Sequence, residues 1–250
     1  MRKIAIINQK GGEAKTTTSR NIGEILSLKN YKTLVIDMDP QGNLTTNFDI
    51  NKREVKTLFD VFNKEVDINE VILNKNENLD IIPNNIKMAR ANMQFAGHPN
   101  WARLLKKYLK DLDKNYDFII MDCPPALDFS TYNALNAATE IVVTLQAEEN
   151  SLEGISDLMD TIDEVREDNE ELKICGVVVT KFKGNTNLHR GYKEVLDNYF
   201  TETMFKTVIR DNIKVAEANQ SHKSVVEYDK SSNGAKDYLM LVEEIIARDI

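Results

Sequence analysis

The feature that most constrains the fold of this chain is a short apolar strand followed by a glycine-containing loop and a helix. The apolar run covers residues 4–7, and residues 9–17 read Gln-Lys-Gly-Gly-Glu-Ala-Lys-Thr-Thr. In such an arrangement the free backbone N–H groups of the turn and the positive end of the helix dipole converge on an anion. Lys15 adds a full positive charge, and Thr16 adds a hydroxyl group suited to Mg²⁺. The segment therefore predicts a phosphate-binding loop, with a nucleoside triphosphate as the expected ligand.

The loop departs from the common pattern G-x-x-x-x-G-K-[ST]. Gln9 and Ala14 occupy its glycine positions, and Lys10 is a second lysine. Two lysines on one small loop repel each other unless a polyanion lies between them or one of them reaches a different nucleotide. Ala14 requires only a permitted backbone angle. Glu13 is more unusual, because a carboxylate beside a triphosphate repels it unless the side chain points to solvent.

Two further predicted strands end in aspartate. Residues 32–36 lead into Asp37 and Asp39, and residues 118–121 lead into Asp122. Ligands bind beyond the carboxyl ends of the strands in an open parallel sheet, so these carboxylates are expected near the phosphate loop. For a single aspartate a turn-capping role is the better interpretation. Three of them beside a triphosphate require a cation, and Mg²⁺ typically takes one or two carboxylates.

Strand-like and helical stretches alternate along the chain. Strands are predicted at 3–8, 32–37, 79–82, 117–122, 140–145, 173–179 and 203–208, and helices at 15–29, 101–114, 152–166, 187–200 and 233–248. The alternation predicts an α/β fold, a mostly parallel twisted sheet with helices on both faces. A chain of 250 residues can bury a large core, and a single domain over residues 1–250 is expected.

Taken together, these motifs resemble the deviant Walker A ATPases of the ParA/MinD group, and most of all the short ParA/Soj-type partition ATPases without an N-terminal helix-turn-helix. The loop is close to K-G-G-x-x-K-T, residues 37–43 match D-x-D-P-Q-G-N, and residues 122–125 read D-C-P-P. The resemblance implies a P-loop ATPase that binds ATP and Mg²⁺. It also implies a homodimer that forms around two nucleotides.

The resemblance assigns roles to the matching residues. Lys10 would reach the phosphates of the partner protomer, Lys15 would neutralise the β- and γ-phosphates, and Asp39 would orient or activate the attacking water. The implied nucleotide-binding set is Lys10, Gly11, Gly12, Glu13, Ala14, Lys15, Thr16, Thr17, Thr180, Arg210 and Asn212. The implied metal set is Thr16 as a direct ligand with Asp37, Asp39 and Asp122.

Charge is distributed unevenly along the chain. The formal net charge is −8, which argues against indiscriminate nucleic-acid binding. Residues 181–223 nevertheless contain eight basic and five acidic residues, a local charge of +3. Alone, so small an excess is typical of a solvated helix face. Because ParA proteins hold the DNA backbone with basic residues in this region, the resemblance implies non-specific binding of double-stranded DNA through Lys181, Arg190, Lys193 and Lys214.

The resemblance further implies a ParB-like partner that stimulates hydrolysis and a cytoplasmic, nucleoid-associated location. Only two residues precede the first strand and no apolar run approaches ~18 residues, so neither a secretory signal nor a membrane span is expected. Cys123 and Cys175 are expected to be reduced core thiols.

Two alternatives remain open at the level of sequence. One is a membrane-cycling ATPase like MinD, which needs a basic amphipathic tail, whereas the tail at residues 238–250 carries acidic residues. The other is a nucleotide-gated interaction protein with little turnover, in which Glu13 and Ala14 impair hydrolysis.

Overall fold

The computed structural model describes residues 1–148 and 155–248. The strands are β1 (Arg2–Ile7), β2 (Thr33–Asp37), β3 (Leu73–Asn76), β4 (Leu79–Ile82), β5 (Phe118–Asp122), β6 (Glu140–Gln146) and β7 (Lys173–Thr180). They form one sheet in the order β3-β4-β2-β5-β1-β6-β7, in which only β3 and β4 pair antiparallel. The predicted fold class, a mostly parallel α/β sheet, is confirmed.

Helices cover both faces of this sheet. They are α1 (Lys15–Leu28), α2 (Asn43–Asn47), α3 (Leu58–Phe62), α4 (Ala91–Phe95), α5 (Leu104–Tyr108), α6 (Phe129–Ala137), α7 (Ile155–Asp168), α8 (Asn187–Phe200), α9 (Ile213–Gln220), α10 (Val225–Tyr228) and α11 (Asn233–Ala247). One apolar cluster joins the sheet to α1 and α11, and a second joins it to α5, α6 and α7. The central strands are buried on both faces, which explains why they read as continuous apolar runs.

Helix α11 is docked on the sheet. Tyr238, Leu241, Val242 and Ile245 are fully buried, so the apolar face of the tail lies in the core. This packing weighs against the MinD-like alternative, which needs that face to meet lipid. Within residues 1–148 and 155–248, no helix has both the length and the apolar character that a transmembrane span needs.

The predicted strand at 203–208 is wrong. This segment lies beside the edge of β7 and makes one isolated bridge to it, between Met204 and Val177. Phe205 and Ile209 donate their N–H groups to the carbonyls of Val177 and Val179, and no continuous ladder forms between them. The apolar pattern of the segment arises because Met204 and Phe205 are buried in the core, not because the backbone pairs as a strand.

The predicted continuous helix at 101–114 is also wrong. Only Leu104–Tyr108 is α-helical, and short 3-10 turns flank it on both sides. The Asn133 side chain on α6 accepts a hydrogen bond from the N–H of Leu105 and donates one to the carbonyl of Trp101. A side chain from another helix thus takes backbone hydrogen bonds that a continuous helix would make internally.

Other differences are smaller. The predicted helix at 152–166 corresponds to α7, and its first three residues lie outside the described part of the chain. The sequence analysis did not predict β3, α2, α3, α4, α6, α9 or α10. Most of these are short, and β3 is a polar edge strand without a burial pattern.

Candidate functional site

The carboxyl ends of β1, β2 and β5 meet beside the phosphate loop. Asp37 at the end of β2 is directly opposite Asp122 at the end of β5 in the sheet register. The loop between β1 and α1, together with Asp39, lines a cavity of about 790 Å³ above these strand ends. The structure therefore brings together the loop and the three aspartates that the sequence analysis singled out, as expected at the switch point of a parallel sheet.

Asp122 is completely buried and is held by two hydroxyl groups of α1. Thr16 Oγ1 donates to Asp122 Oδ2 at 2.7 Å, and Ser19 Oγ donates to Oδ1 at 2.9 Å. Sequence reasoning missed Ser19. The sequence could have indicated Ser19, because residues three apart on a helix share one face and Thr16 had already been predicted to face the metal.

Asp37 is likewise buried and is held by the turn that follows β2. Thr45 on α2 donates both its N–H (2.8 Å) and its hydroxyl (2.7 Å) to Asp37 Oδ2. Helix α2 begins after Gly42, whose φ of 64° lies in the left-handed region. A Cβ at Gly42 would stand 2.7 Å from the Asn84 carbonyl oxygen, so glycine is required there. No pattern in the neighbouring sequence indicated that Thr45 would bind Asp37, because this contact depends on the turn at Gly42.

The two buried aspartates are electrostatically strained as a pair. The pKa of Asp37 is raised to about 7 and that of Asp122 to about 8; desolvation is the largest cause in both cases, and the nearby Asp37 charge contributes to the rise at Asp122. A bound divalent cation reverses this preference, because it stabilises both ionised forms. The donors present, two carboxylates and the Thr16 hydroxyl, are the hard oxygen ligands that suit Mg²⁺.

These donors do not make a complete protein cage. Among the described residues there is no group of three or more His, Cys, Asp or Glu side chains that could hold a metal ion. Asp39 Oδ1 instead accepts the N–H of Gln41 at 2.8 Å. The arrangement fits Mg²⁺, which binds through one or two carboxylates and completes its shell with phosphate and water oxygens.

Replacing Asp122 with Asn is expected to stabilise the chain in the absence of nucleotide and metal while weakening Mg²⁺ binding. Because the folded-state pKa of Asp122 exceeds its ordinary value, the native state holds a proton that the unfolded state releases above about pH 4. This carboxyl group therefore makes the free energy of unfolding fall as pH rises from about 4 to about 8. Asp122→Asn removes that dependence and is expected to add about 1–3 kcal/mol at pH 8. Urea unfolding at pH 5 and pH 8 in the presence of a chelator measures it.

Asp80→Asn serves as the matched control. Burial opposes ionisation of Asp80, but hydrogen bonds from Lys114, Asn74 and Tyr116 outweigh it and hold its pKa below the usual value. Removing this charge is expected to destabilise the chain at neutral pH. A loss of stability in Asp122→Asn at pH 8 that matches the loss in Asp80→Asn would contradict the argument.

Lys15 lies inside the phosphate loop. Its Nζ donates to the carbonyl of Lys10 at 3.0 Å, and its burial lowers its pKa. The loop closes onto α1 through Ala14, whose φ of 61° is left-handed. For a residue with a Cβ this conformation costs roughly 1–2 kcal/mol, which the glycine of the common pattern avoids.

Lys181, which is predicted to bind DNA, lies beside the phosphate loop in the structure. Its Nζ donates to the carbonyl of Gly12 at 2.8 Å, and Gln146 Nε2 donates to the same oxygen at 2.9 Å. The Lys181 ammonium group is therefore engaged at the phosphate loop, because the end of β7 lies beside that loop. The role of Lys181 in DNA binding stays a prediction, and its hydrogen bond places its ammonium group beside the phosphate loop.

Glu13 does not point to solvent, contrary to the arrangement that a bound triphosphate favours. Its side chain is 1% exposed. Lys10 Nζ lies 3.4 Å from Glu13 Oε1 and 3.0 Å from Glu148 Oε2. Burial raises the pKa of Glu13, and the positive charge of Lys10 opposes that rise.

Thr180, Arg210 and Asn212 line a smaller cavity of about 140 Å³ that adjoins the loop at Ala14. Thr180 Oγ1 lies 3.4 Å from the carbonyl oxygen of Glu13. The Arg210 guanidinium is bound by Asp237, with Nη2 2.6 Å from Oδ1. The Asn212 side chain caps α9 by accepting the N–H of Lys214. The three residues thus lie together beside the loop, and their contact with a nucleotide stays a prediction.

The other predicted DNA-binding residues lie on α8 and α9. Arg190 is exposed and bonds to Asn187, while Lys193 and Lys214 are half-buried. Lys193 pairs with Asp197 at 2.7 Å, and Lys214 pairs with Glu217 at 2.8 Å. Ion pairs at the protein surface contribute little to stability, so a phosphate group can replace either carboxylate as the partner.

A phosphate loop joined to buried aspartates at the carboxyl edge of a parallel sheet defines a P-loop nucleotide-binding domain. The family model described as an AAA domain matches residues 1–174. Sporulation initiation inhibitor protein Soj of Bacillus subtilis is 39% identical, covering 98% of each chain. Chromosome-partitioning ATPase Soj of Treponema pallidum is 35% identical, covering 98% of this chain and 97% of its own length.

Similar solved structures include two with a bound ATP analogue. A plasmid partition protein from Borrelia burgdorferi, bound to AMPPNP, is 29% identical with a TM-score of 0.84, covering 100% of this chain and 99% of that one. Cobyrinic acid a,c-diamide synthase from Mycobacterium smegmatis, with an ATP analogue and magnesium, is 28% identical with a TM-score of 0.85, covering 97% and 93%. The chain belongs to the Soj/ParA family of chromosome-partitioning ATPases. The predicted family is confirmed.

Proposed function

We propose that this chain is a DNA-segregation ATPase that forms a homodimer around two ATP–Mg²⁺ molecules and binds double-stranded DNA without sequence preference. A ParB-like protein stimulates hydrolysis and so releases the chain from the nucleoid. The observation that carries the proposal is the Thr16–Asp122–Asp37 cluster beside Lys15, a buried and preorganised site for a metal-bound triphosphate. One similar solved structure holds an ATP analogue with magnesium, and another holds AMPPNP, which supports ATP and Mg²⁺ as the ligands.

The residues of the loop bind and orient the triphosphate. Backbone N–H groups at the start of α1 and the Lys15 ammonium group neutralise its charge, and burial of Lys15 strengthens that interaction. Thr16, Asp37 and Asp122 would hold Mg²⁺, which would supply positive charge to the phosphate oxygens. Asp39 follows β2 at the mouth of the cavity, where its carboxylate orients the attacking water.

Lys10 is the residue that completes the partner's site. Its side chain is 42% exposed, so it is accessible to a second protomer although its backbone belongs to the phosphate loop. A second lysine on the loop that stays exposed while Lys15 is buried is the arrangement expected if each lysine serves a different nucleotide.

The DNA-binding surface is formed by Arg190 and Lys193 on α8 and by Lys214 on α9. The segment from 181 to 223 is basic although the chain as a whole is acidic. A dimer places two such surfaces on one particle, so that ATP binding raises DNA affinity through the number of simultaneous contacts.

The decisive experiment follows mass and DNA binding in parallel. Sedimentation with Mg²⁺ and either ATP or ADP tests the dimer, and fluorescence anisotropy with two unrelated duplexes tests DNA binding. We expect a dimer and tight binding with ATP, equal for both duplexes, and monomer with weak binding in ADP. Equal DNA affinity with ATP and ADP would contradict the nucleotide-gated cycle.

Charge reversal of Arg190 or Lys214 to Glu is expected to weaken DNA binding by about tenfold, equally for unrelated duplexes, because each removes a phosphate contact. Basal hydrolysis and dimerisation are expected to persist. The log of the wild-type binding constant should fall with log salt by roughly 0.9 for each phosphate neutralised, and each variant should show a shallower slope.

Lys107→Glu is the matched control for charge reversal. Lys107 is an exposed lysine on α5, outside the basic segment, and its replacement changes the net charge by the same amount. It is expected to leave DNA affinity nearly unchanged. If all three variants lose affinity equally, net charge and not the α8–α9 surface controls binding.

A further inference from the structure

A buried carboxylate lies within the phosphate loop itself. Both oxygens of Glu13 are buried, and among the described residues the groups that favour its ionised form are the Lys10 ammonium group and the backbone N–H of Gln146. The Lys10 ammonium group, 3.4 Å away, is the one cation within ion-pair distance of it in that part of the chain. A carboxylate at this depth is costly unless a counter-ion stays beside it.

Lys10 is held on its own protomer by this contact and by a second one. Its Nζ lies 3.0 Å from the carboxylate of Glu148, an exposed residue just beyond β6. Glu13 and Glu148 lose different amounts of stabilisation when the Lys10 ammonium group moves away. Water solvates the exposed Glu148, whereas Glu13 is left as a buried charge without a counter-ion.

We propose that Glu13 is a positioning residue that holds Lys10 over its own phosphate loop, so that the ATP dimer forms only at the expense of the Glu13–Lys10 ion pair. The inference rests on the proposed function, in which Lys10 crosses to the partner's phosphates. It adds a residue that sets how tightly the dimer forms. With Glu at position 13, binding of the partner's nucleotide competes with an internal counter-ion for the same ammonium group.

Removal of the Glu13 charge is expected to favour the dimer. A neutral residue at position 13 leaves Lys10 held only by the exposed Glu148, and such pairs contribute little. Glu13→Gln is therefore expected to tighten the dimer by about tenfold at saturating nucleotide, which corresponds to about 1.4 kcal/mol. Glu148→Gln, the matched control, is expected to change the dimer constant by less than about threefold.

The main measurement is the dimer dissociation constant from sedimentation with Mg²⁺ and saturating AMPPNP. Because AMPPNP is saturating, an effect of Glu13 on nucleotide affinity does not change the measured dimer constant. Glu13→Ala is measured beside Glu13→Gln, so that a folding defect in one variant leaves the other to carry the test. Nucleotide affinity in Lys10→Ala and in Lys10→Ala/Glu13→Gln separately measures the direct repulsion between Glu13 and the triphosphate.

A second readout reports on Lys10 without any dimer. The rate at which an amine-acylating reagent modifies Lys10 in nucleotide-free protein is measured by mass spectrometry, relative to Lys107. Hydrogen bonding to Glu148 and the charge of Glu13 both raise the pKa of Lys10, so Glu13→Gln is expected to speed its acylation several-fold. A residue with only a structural role would not change this rate.

The outcomes separate the inference from the proposed function. A wild-type chain that stays monomeric with Mg²⁺ and AMPPNP would overturn both. A wild-type chain that dimerises while Glu13→Gln and Glu13→Ala dimerise no more tightly would overturn the inference alone. An unchanged acylation rate of Lys10 in both variants would also overturn it. Tighter dimers together with faster acylation would support it.

Discussion

Asp39→Ala is expected to slow ATP hydrolysis by about 100- to 10,000-fold while ATP still binds and the dimer accumulates. Asp39 lies at the mouth of the nucleotide cavity, just beyond β2, and the N–H of Gln41 fixes one of its oxygens. A carboxylate that orients water acts in the transition state and contributes little to ground-state binding. Removal of its side chain should therefore lower the turnover number without lowering ATP affinity. Steady-state hydrolysis and sedimentation with ATP and Mg²⁺ measure the two effects.

Two further variants sharpen this prediction. Asp39→Asn keeps an acceptor for the Gln41 N–H but loses the charge, so it should resemble Asp39→Ala if the carboxylate acts on water. Lys15→Ala should instead lose nucleotide affinity, because Lys15 is buried inside the loop that holds the phosphates. A monomeric Asp39→Ala that still binds ATP would contradict the assigned role. Wild-type hydrolysis near zero in the presence of DNA and a partner protein would favour the low-turnover alternative.

Lys10→Ala is expected to bind ATP as a monomer and to lose ATP-dependent dimerisation, with at least a 100-fold weaker dimer. The reason is that a charge-assisted contact between an ammonium group and a partner's phosphates is strong, and symmetry removes two such contacts from each dimer. Sedimentation with Mg²⁺ and AMPPNP gives the dimer constant. Equilibrium dialysis with the same nucleotide gives the affinity of the monomer.

The control for Lys10→Ala is a substitution that keeps the positive charge at position 10. Lys10→Arg should dimerise better than Lys10→Ala, because it presents a cation at the same loop position, although the shape of its head group differs. Lys107→Ala, at an exposed position on α5 outside the phosphate loop, should dimerise as the wild type does. Normal dimerisation of Lys10→Ala would remove the argument for a nucleotide-sandwich dimer and with it the basis for ATP-gated DNA binding.

Local patterns were sufficient for the central part of the fold. Residues 4–7, 34–36 and 118–121 are apolar because strands buried on both faces need apolar side chains on both sides, and this requirement is visible in any short window. The aspartates that follow them are expected at one edge because parallel strands all end on the same side. The phosphate loop is equally local, since its chemistry lies within residues that are adjacent in sequence.

Local patterns failed where backbone groups find partners far away in the chain. Residues 203–208 look like a strand because their apolar side chains are buried, yet β7 offers them only isolated hydrogen bonds. The stretch 101–114 looks like one helix, yet Asn133 on α6 takes up two of its backbone groups. Neither partner can be recognised from the segment itself.

The sequence by itself determined the ligand class, the parallel sheet and the edge on which the site lies. Tertiary structure decided which charges are buried and which partners hold them: Glu13 lies inside the loop with Lys10, Thr45 holds Asp37, and Lys181 binds the loop. The physical reason is that periodicity and hydrogen-bonding chemistry belong to neighbouring residues, whereas desolvation depends on elements that meet only when the chain is folded. The same carboxylate can therefore face water or lose its hydration entirely, and only the packing of β6, β7 and α1 around the loop decides between them.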